Sequence, residues 1–126
     1  MVGRALGHFY RGRYAEAAIL FEKACELDPE GKGVRIERLH ASLGCCYRAL
    51  GRFKEALEYL SRAYDPYWAS ARALTKDYDR REFIEFLAAF SDVLLRTGQV
   101  DRAEEIAQQA SQYRKSWGLD YACAPR

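Results

Sequence analysis

The sequence predicts an all-α fold built from repeated antiparallel helix hairpins, and three observations carry that prediction. Apolar residues recur every three or four positions over long stretches, which is the period of one helix face. Strict alternation of apolar and polar residues, expected of a half-buried strand, occurs nowhere in the chain,. A short pattern centred on a glycine appears three times, at Gly12, Gly51 and Gly98. With 126 residues, 49% hydrophobic and 30% charged, the chain has a single-domain length and enough apolar material for a core.

The elements follow in order. Val2 to Arg11 supplies about three turns of a first helix, with Leu6, Phe9 and Tyr10 as its large residues,. Gly12 ends it, and Tyr14, Ala17, Phe21 and Ala24 form the stripe of the next helix. The link from Asp28 to Gly33 contains Pro29 and two glycines, which disfavour a continuous helix,. Ile36, Leu39, Leu43, Tyr47 and Leu50 then mark a third helix, and Phe53, Ala56, Leu57, Leu60, Ala63 and Tyr64 a fourth.

Gly51 sits between those two helices, where a C-terminus calls for a residue that tolerates the left-handed conformation,. Gly44, Ala56 and Ala63 are small enough to let the two backbones approach, with Tyr47 and Leu60 filling the remaining space. Pro66 either ends the fourth helix or kinks it, since Trp68 to Leu74 keeps helical spacing beyond it. The charged run from Lys76 to Arg81 reads as a turn into a fifth helix carrying Phe83, Leu87, Phe90 and Leu94. After Gly98 the sixth helix places Val100, Ala103, Ala107 and Ala110 in the corresponding positions and continues through Tyr113 and Trp117. Residues 117–126 are expected to cover the end of the stack.

The copies match residue by residue: Gly12 answers to Gly51, Tyr14 to Phe53, Ala17 to Ala56, Phe21 to Leu60 and Ala24 to Ala63. The run Leu43-Gly44-x-x-Tyr47, then Gly51-x-Phe53, then spaced small or apolar positions resembles the tetratricopeptide repeat, a helix-turn-helix unit of about 34 residues,. The closing proline usual in that family is matched by Pro29. The second copy departs, with Pro66 two positions early and Trp68 in its place, and the family's tryptophan in the first helix is replaced by His40 and Leu87. The turn glycines lie 39 and 47 positions apart, so longer helices or links must absorb the excess.

The resemblance implies a right-handed α-α superhelix, a solenoid of about three hairpins forming one domain over residues 1–126. The repeats would fall at about 1–30, 34–66 and 80–116, with 117–126 as a C-terminal capping segment. It also implies a function: first helices would line a concave groove that binds a peptide or helix of a partner protein. Carried onto this sequence, the groove residues are Leu6, Phe9 and Tyr10, then Arg38, Ala41, Cys45 and Arg48, then Glu85, Asp92 and Arg96. Family members that clamp a C-terminal carboxylate use lysines and asparagines where this chain has Val2 and Leu6, or Glu85, which argues against that specialisation.

Chemistry of other kinds finds no support in the residues. No nucleophile with a spaced base, no phosphate-binding glycine loop and no metal-ligand spacing is present, so neither catalysis, a cofactor nor a metal is expected,. His8 and His40 read as packing residues. Cys25, Cys45, Cys46 and Cys123 read as reduced thiols, because adjacent cysteines on a helix diverge and the others are remote in sequence,. A formal net charge of +2 gives no field that would favour nucleic acid or an anionic membrane,. No apolar run reaches the ~20 residues of a membrane span, and the N-terminus lacks a signal-peptide core, so the cytoplasm is the expected location,.

The aromatic group Tyr59, Tyr64, Tyr67, Trp68, Tyr78, Phe83 and Phe86 is expected to fill the enlarged junction between the second and third copies,. The alternative to partner binding is self-association, with an exposed repeat face building a homo-oligomer.

Overall fold

The computed structural model describes residues 2–29 and 35–119. Among them are six α-helices and no strand: α1 (Val2–Tyr10), α2 (Tyr14–Leu27), α3 (Ile36–Ala49), α4 (Phe53–Ala71), α5 (Asp77–Arg96) and α6 (Val100–Ser116). The chain divides into two compact units, Met1–Ser70 with α1 to α4 and Ala71–Arg126 with α5 and α6. Most of the link expected from Asp28 to Gly33, and the capping segment beyond Leu119 with Cys123, lie outside the described residues.

The three turn glycines share one geometry. Gly12, Gly51 and Gly98 take φ of 77°, 78° and 88°, the left-handed region in which a β-carbon is penalised. At Gly51 the backbone N–H donates to the Arg48 carbonyl at 3.1 Å, and the Arg52 N–H donates to the Tyr47 carbonyl at 2.8 Å. Gly12 and Arg13 bond to Phe9 and His8 in the same way, and Gly98 and Gln99 to Leu95 and Leu94. This paired arrangement satisfies helix-end carbonyls and reverses the chain. Gly118, φ 70°, closes α6 by the same two bonds, to Lys115 and Arg114.

Helix starts are handled differently. No side chain caps the N-termini of α2, α3, α5 or α6. Instead each of α2 to α6 carries an acid in its first turn: Glu16, Glu37, Glu55, Asp77 with Asp79, and Asp101. A carboxylate there favours the positive end of the helix dipole by about 0.3–1 kcal/mol. That accounts for one difference from the sequence reading: the charged run after Lys76 is the first turn of α5, not a turn before it.

In the first unit α2 packs between α1 and α3. Phe21, Leu39, Leu43, Cys46, Tyr47 and Leu60 form its buried core with Ala17, Ala56 and Ala63, each large aliphatic contributing roughly 1.5–3 kcal/mol on burial. α4 runs through Pro66 to Ala71, although Pro66 has no N–H to offer the Arg62 carbonyl one turn back. Tyr67 and Ala71 beyond it remain buried, and that packing holds the last turns helical.

In the second unit α5 packs along α6 through Phe83, Leu87, Phe90, Val93 and Leu94. The Ser91 hydroxyl donates to the Ala103 carbonyl at 2.7 Å and joins the two helices. Here the register differs from expectation, since Ala107 is exposed and Ile106 is fully buried. The larger aliphatic takes the core position that Phe21 and Leu60 occupy in the other copies. The wider spacing between Gly51 and Gly98 is also accounted for. α4 has 19 residues against 14 in α2, and α5 has 20 against 14 in α3, while the connection between them is shorter.

Members of the aromatic group expected at one junction make ring contacts within each unit. Tyr64 stacks on Trp68 with ring centroids 5.8 Å apart, and Tyr67 is buried. Tyr59 stacks instead on Tyr47. In the second unit Phe83 meets Phe86, Tyr113 and Trp117, with the Arg80 guanidinium 5.1 Å from the Trp117 ring centroid. Tyr78 is exposed.

Candidate functional site

Helical periodicity places the expected groove residues of α3 together. Arg38, Cys45 and Arg48 lie on one side, away from the strip of Leu39, Leu43, Cys46 and Tyr47 that is packed into the core,. Arg48 is exposed and Arg38 and Cys45 are half-buried. Ala41 is buried at 6% exposure, so it offers almost no surface to a partner. On α1, Leu6 and Phe9 are half-buried and Tyr10 is exposed. Phe9 sits edge-on to both Tyr10 and Tyr14 at 5.5 Å, which ties the helix end to the start of α2. On α5, Glu85 is exposed, while Asp92 and Arg96 pair with each other at 3.1 Å.

A concavity of about 570 Å³ opens on the other side of α3. Glu22, Cys25 and Glu26 of α2 form one wall, Tyr59 and Arg62 of α4 the other, and Ile36 and His40 of α3 the floor, with Pro29 at the rim. The Tyr59 ring organises this region. It stacks on Tyr47 and meets His40, each at 5.7 Å. Arg62 lies 5.4 Å from its centroid and pairs with Glu58 at 2.6 Å.

Three titratable groups of the cleft, His40, Cys25 and Tyr59, are shifted towards their uncharged forms. Burial, then the Arg62 cation, pushes His40 below its ordinary value, against a smaller opposing pull from Glu37. Burial, then Glu22, raises both the Cys25 thiol and the Tyr59 hydroxyl. Cys46, on the core side of α3, is pushed up to about 12 by burial and by Cys45. Its thiol therefore stays protonated at neutral pH, the inert condition of a core cysteine.

Among the described residues no group of three His, Cys, Asp or Glu side chains could hold a metal ion, and no helix is long and apolar enough to cross a membrane. His40, Cys25, Tyr59, Ile36 and Pro29 stand out in the sequence in other roles, and Glu22, Glu26 and Arg62 do not; none is marked there as part of a cleft. The available signal was local: in the glycine register Glu22 corresponds to Ser61 and Tyr59 to Leu20, so the polar side of the second helix differs between copies while its small-residue stripe repeats.

A family model described as tetratricopeptide repeat matches residues 1–65, slightly more than half of the chain. No curated protein matches it.

Proposed function

The chain belongs to the tetratricopeptide repeat family, whose members generally mediate protein–protein interaction, and from that premise we propose a non-catalytic scaffold that holds a peptide or helix of a partner protein. In the first unit the contact face is made by Arg38, Cys45 and Arg48 of α3 with Leu6, Phe9 and Tyr10 of α1. In the second unit the corresponding residues are Glu85, Asp92 and Arg96. The supporting observation is that α3 buries its two packed sides and leaves Arg48 in solvent with Arg38 and Cys45 beside it. Arginine is enriched at protein interfaces, where its long stem and planar head both make contact. Arg48→Glu should cut affinity capture of a partner from an extract of the source organism at least fivefold, with unchanged thermal unfolding. Equal capture by the variant would count against the proposal.

A second reading draws on the exposed apolar residues of α2. Ile19 is 58% and Leu27 74% exposed, and in this reading a second copy of the chain covers them in a homo-oligomer. Sedimentation at high concentration separates the two, since a strict monomer excludes the oligomer.

A further inference from the structure

We propose that the cleft formed by α2, α3 and α4 is a second binding site, distinct from the α3 face above, which receives a lysine or arginine side chain from a basic peptide segment. Glu22 and Glu26 stand one turn apart on the same wall of the cleft,. Neither makes an ion pair with a described residue. The cation in the lining, Arg62, is already committed, paired with Glu58 at 2.6 Å and lying over Tyr59. His40, held below its ordinary value chiefly by burial, is neutral at neutral pH and adds no opposing charge. The described lining therefore carries two carboxylates without an ion-pair partner among the described residues, against one cation, Arg62, which is shared with Glu58.

The remaining surface suits the same ligand. Long cationic side chains combine an apolar stem with a charged head. Ile36 and Pro29 offer apolar contact for the stem, and the two carboxylates offer acceptors for the head. A volume of about 570 Å³ is ample for one such side chain with its flanking backbone. Arginine fits best, because its fork can bond both carboxylate groups at once. Ile36 and His40 lie on the side of α3 roughly opposite Arg38 and Cys45, so the two sites can be occupied independently.

The test is an NMR titration of the isotopically labelled full chain with three blocked tripeptides, acetyl-Gly-Arg-Gly-amide, its glutamate counterpart and its norleucine counterpart. The arginine peptide should produce saturable shifts at Cys25, His40 and Tyr59, and the other two should not. Glu22→Gln with Glu26→Gln should weaken that binding at least fivefold. Arg62→Gln, which removes the competing cation, should tighten it about twofold or more. Arg48→Glu should leave it unchanged, so failure here is separate from failure of the α3 face. The proposal is overturned if the arginine peptide gives no saturable shift, if the glutamate peptide binds equally well, or if the paired glutamine variant binds as tightly as wild type. Weaker binding by Arg62→Gln would also overturn it, because the cleft would then be selecting anions.

Discussion

Gly44 of α3 and Leu60 of α4 meet so closely that a β-carbon at position 44 would stand 2.5 Å from Leu60 Cγ and 3.3 Å from the Ala56 carbonyl oxygen. Leu60 is fully buried, so its side chain can shift only by displacing core neighbours. The contact fixes how near the two helices of the best-matched hairpin approach.

Gly44→Ala should therefore destabilise the protein. Alanine gains about 0.8–1 kcal/mol over glycine within a helix, but overpacking a tight core costs typically 1–3 kcal/mol, so the net change is a loss of up to about 2 kcal/mol. Chemical denaturation measures it, and the cost should shrink in a Leu60→Ala background as the clash disappears. An unchanged or raised midpoint for Gly44→Ala would show that the helices part without penalty.

Gly7 is the matched control. It lies inside α1, and a β-carbon there meets nothing within 4 Å. Only the propensity term remains, so Gly7→Ala should stabilise by roughly 0.5–1 kcal/mol in the same assay.

At Gly51 the surroundings are equally open, yet φ is +78°. Gly51→Ala should cost about 1–2 kcal/mol from backbone conformation alone. Gly51→Asn should cost less, since asparagine enters the left-handed region more readily. Equal losses for the two variants would point to a cause other than φ.

The pH response follows from His40. Its folded value lies below the unfolded 6.5, so below that point the unfolded chain binds the extra proton. Its contribution to stability is therefore full above pH 6.5 and declines as pH falls through 6.5 towards the lower folded value. His40→Gln should flatten this part of the curve, as read by unfolding at pH 7.5, 6.5 and 5.5. A curve of the same slope in the variant assigns the dependence elsewhere.

Thiol reactivity offers a separate check. With its thiol pushed up to about 12 and fully buried, Cys46 should resist a disulfide reagent at neutral pH until the chain unfolds. Mapping the labelled cysteines by mass spectrometry tests this, and labelling of Cys46 in the native state contradicts it.

Much of the fold was legible because its determinants are local. The turn glycines announce themselves by spacing, and the backbone requirement at Gly12, Gly51 and Gly98 is one that glycine meets best. The small residues at 17, 24, 56 and 63 mark the close helix faces for the same reason. Where the sequence misled, tertiary packing decided. Ala107 sits in the repeat register, but Ile106 next to it buries more apolar surface and takes the core position. Pro66 left an end or a continuation of the helix open, and the burial of Tyr67 and Ala71 beyond it accompanies the continuation. The cleft was not legible at all, because Glu22, Tyr59 and His40 are brought together only when α2, α3 and α4 pack.

The central claim, that the exposed side of α3 is a partner-binding face, is most directly tested by site-specific photo-crosslinking. A photoreactive residue at position 48, compared with one at the exposed Lys54 of α4, would be irradiated in an extract of the source organism and the adducts identified by mass spectrometry. The account predicts a discrete adduct with another protein at position 48 and little or none at 54. Adducts of equal yield at both positions, or none at 48, would contradict it.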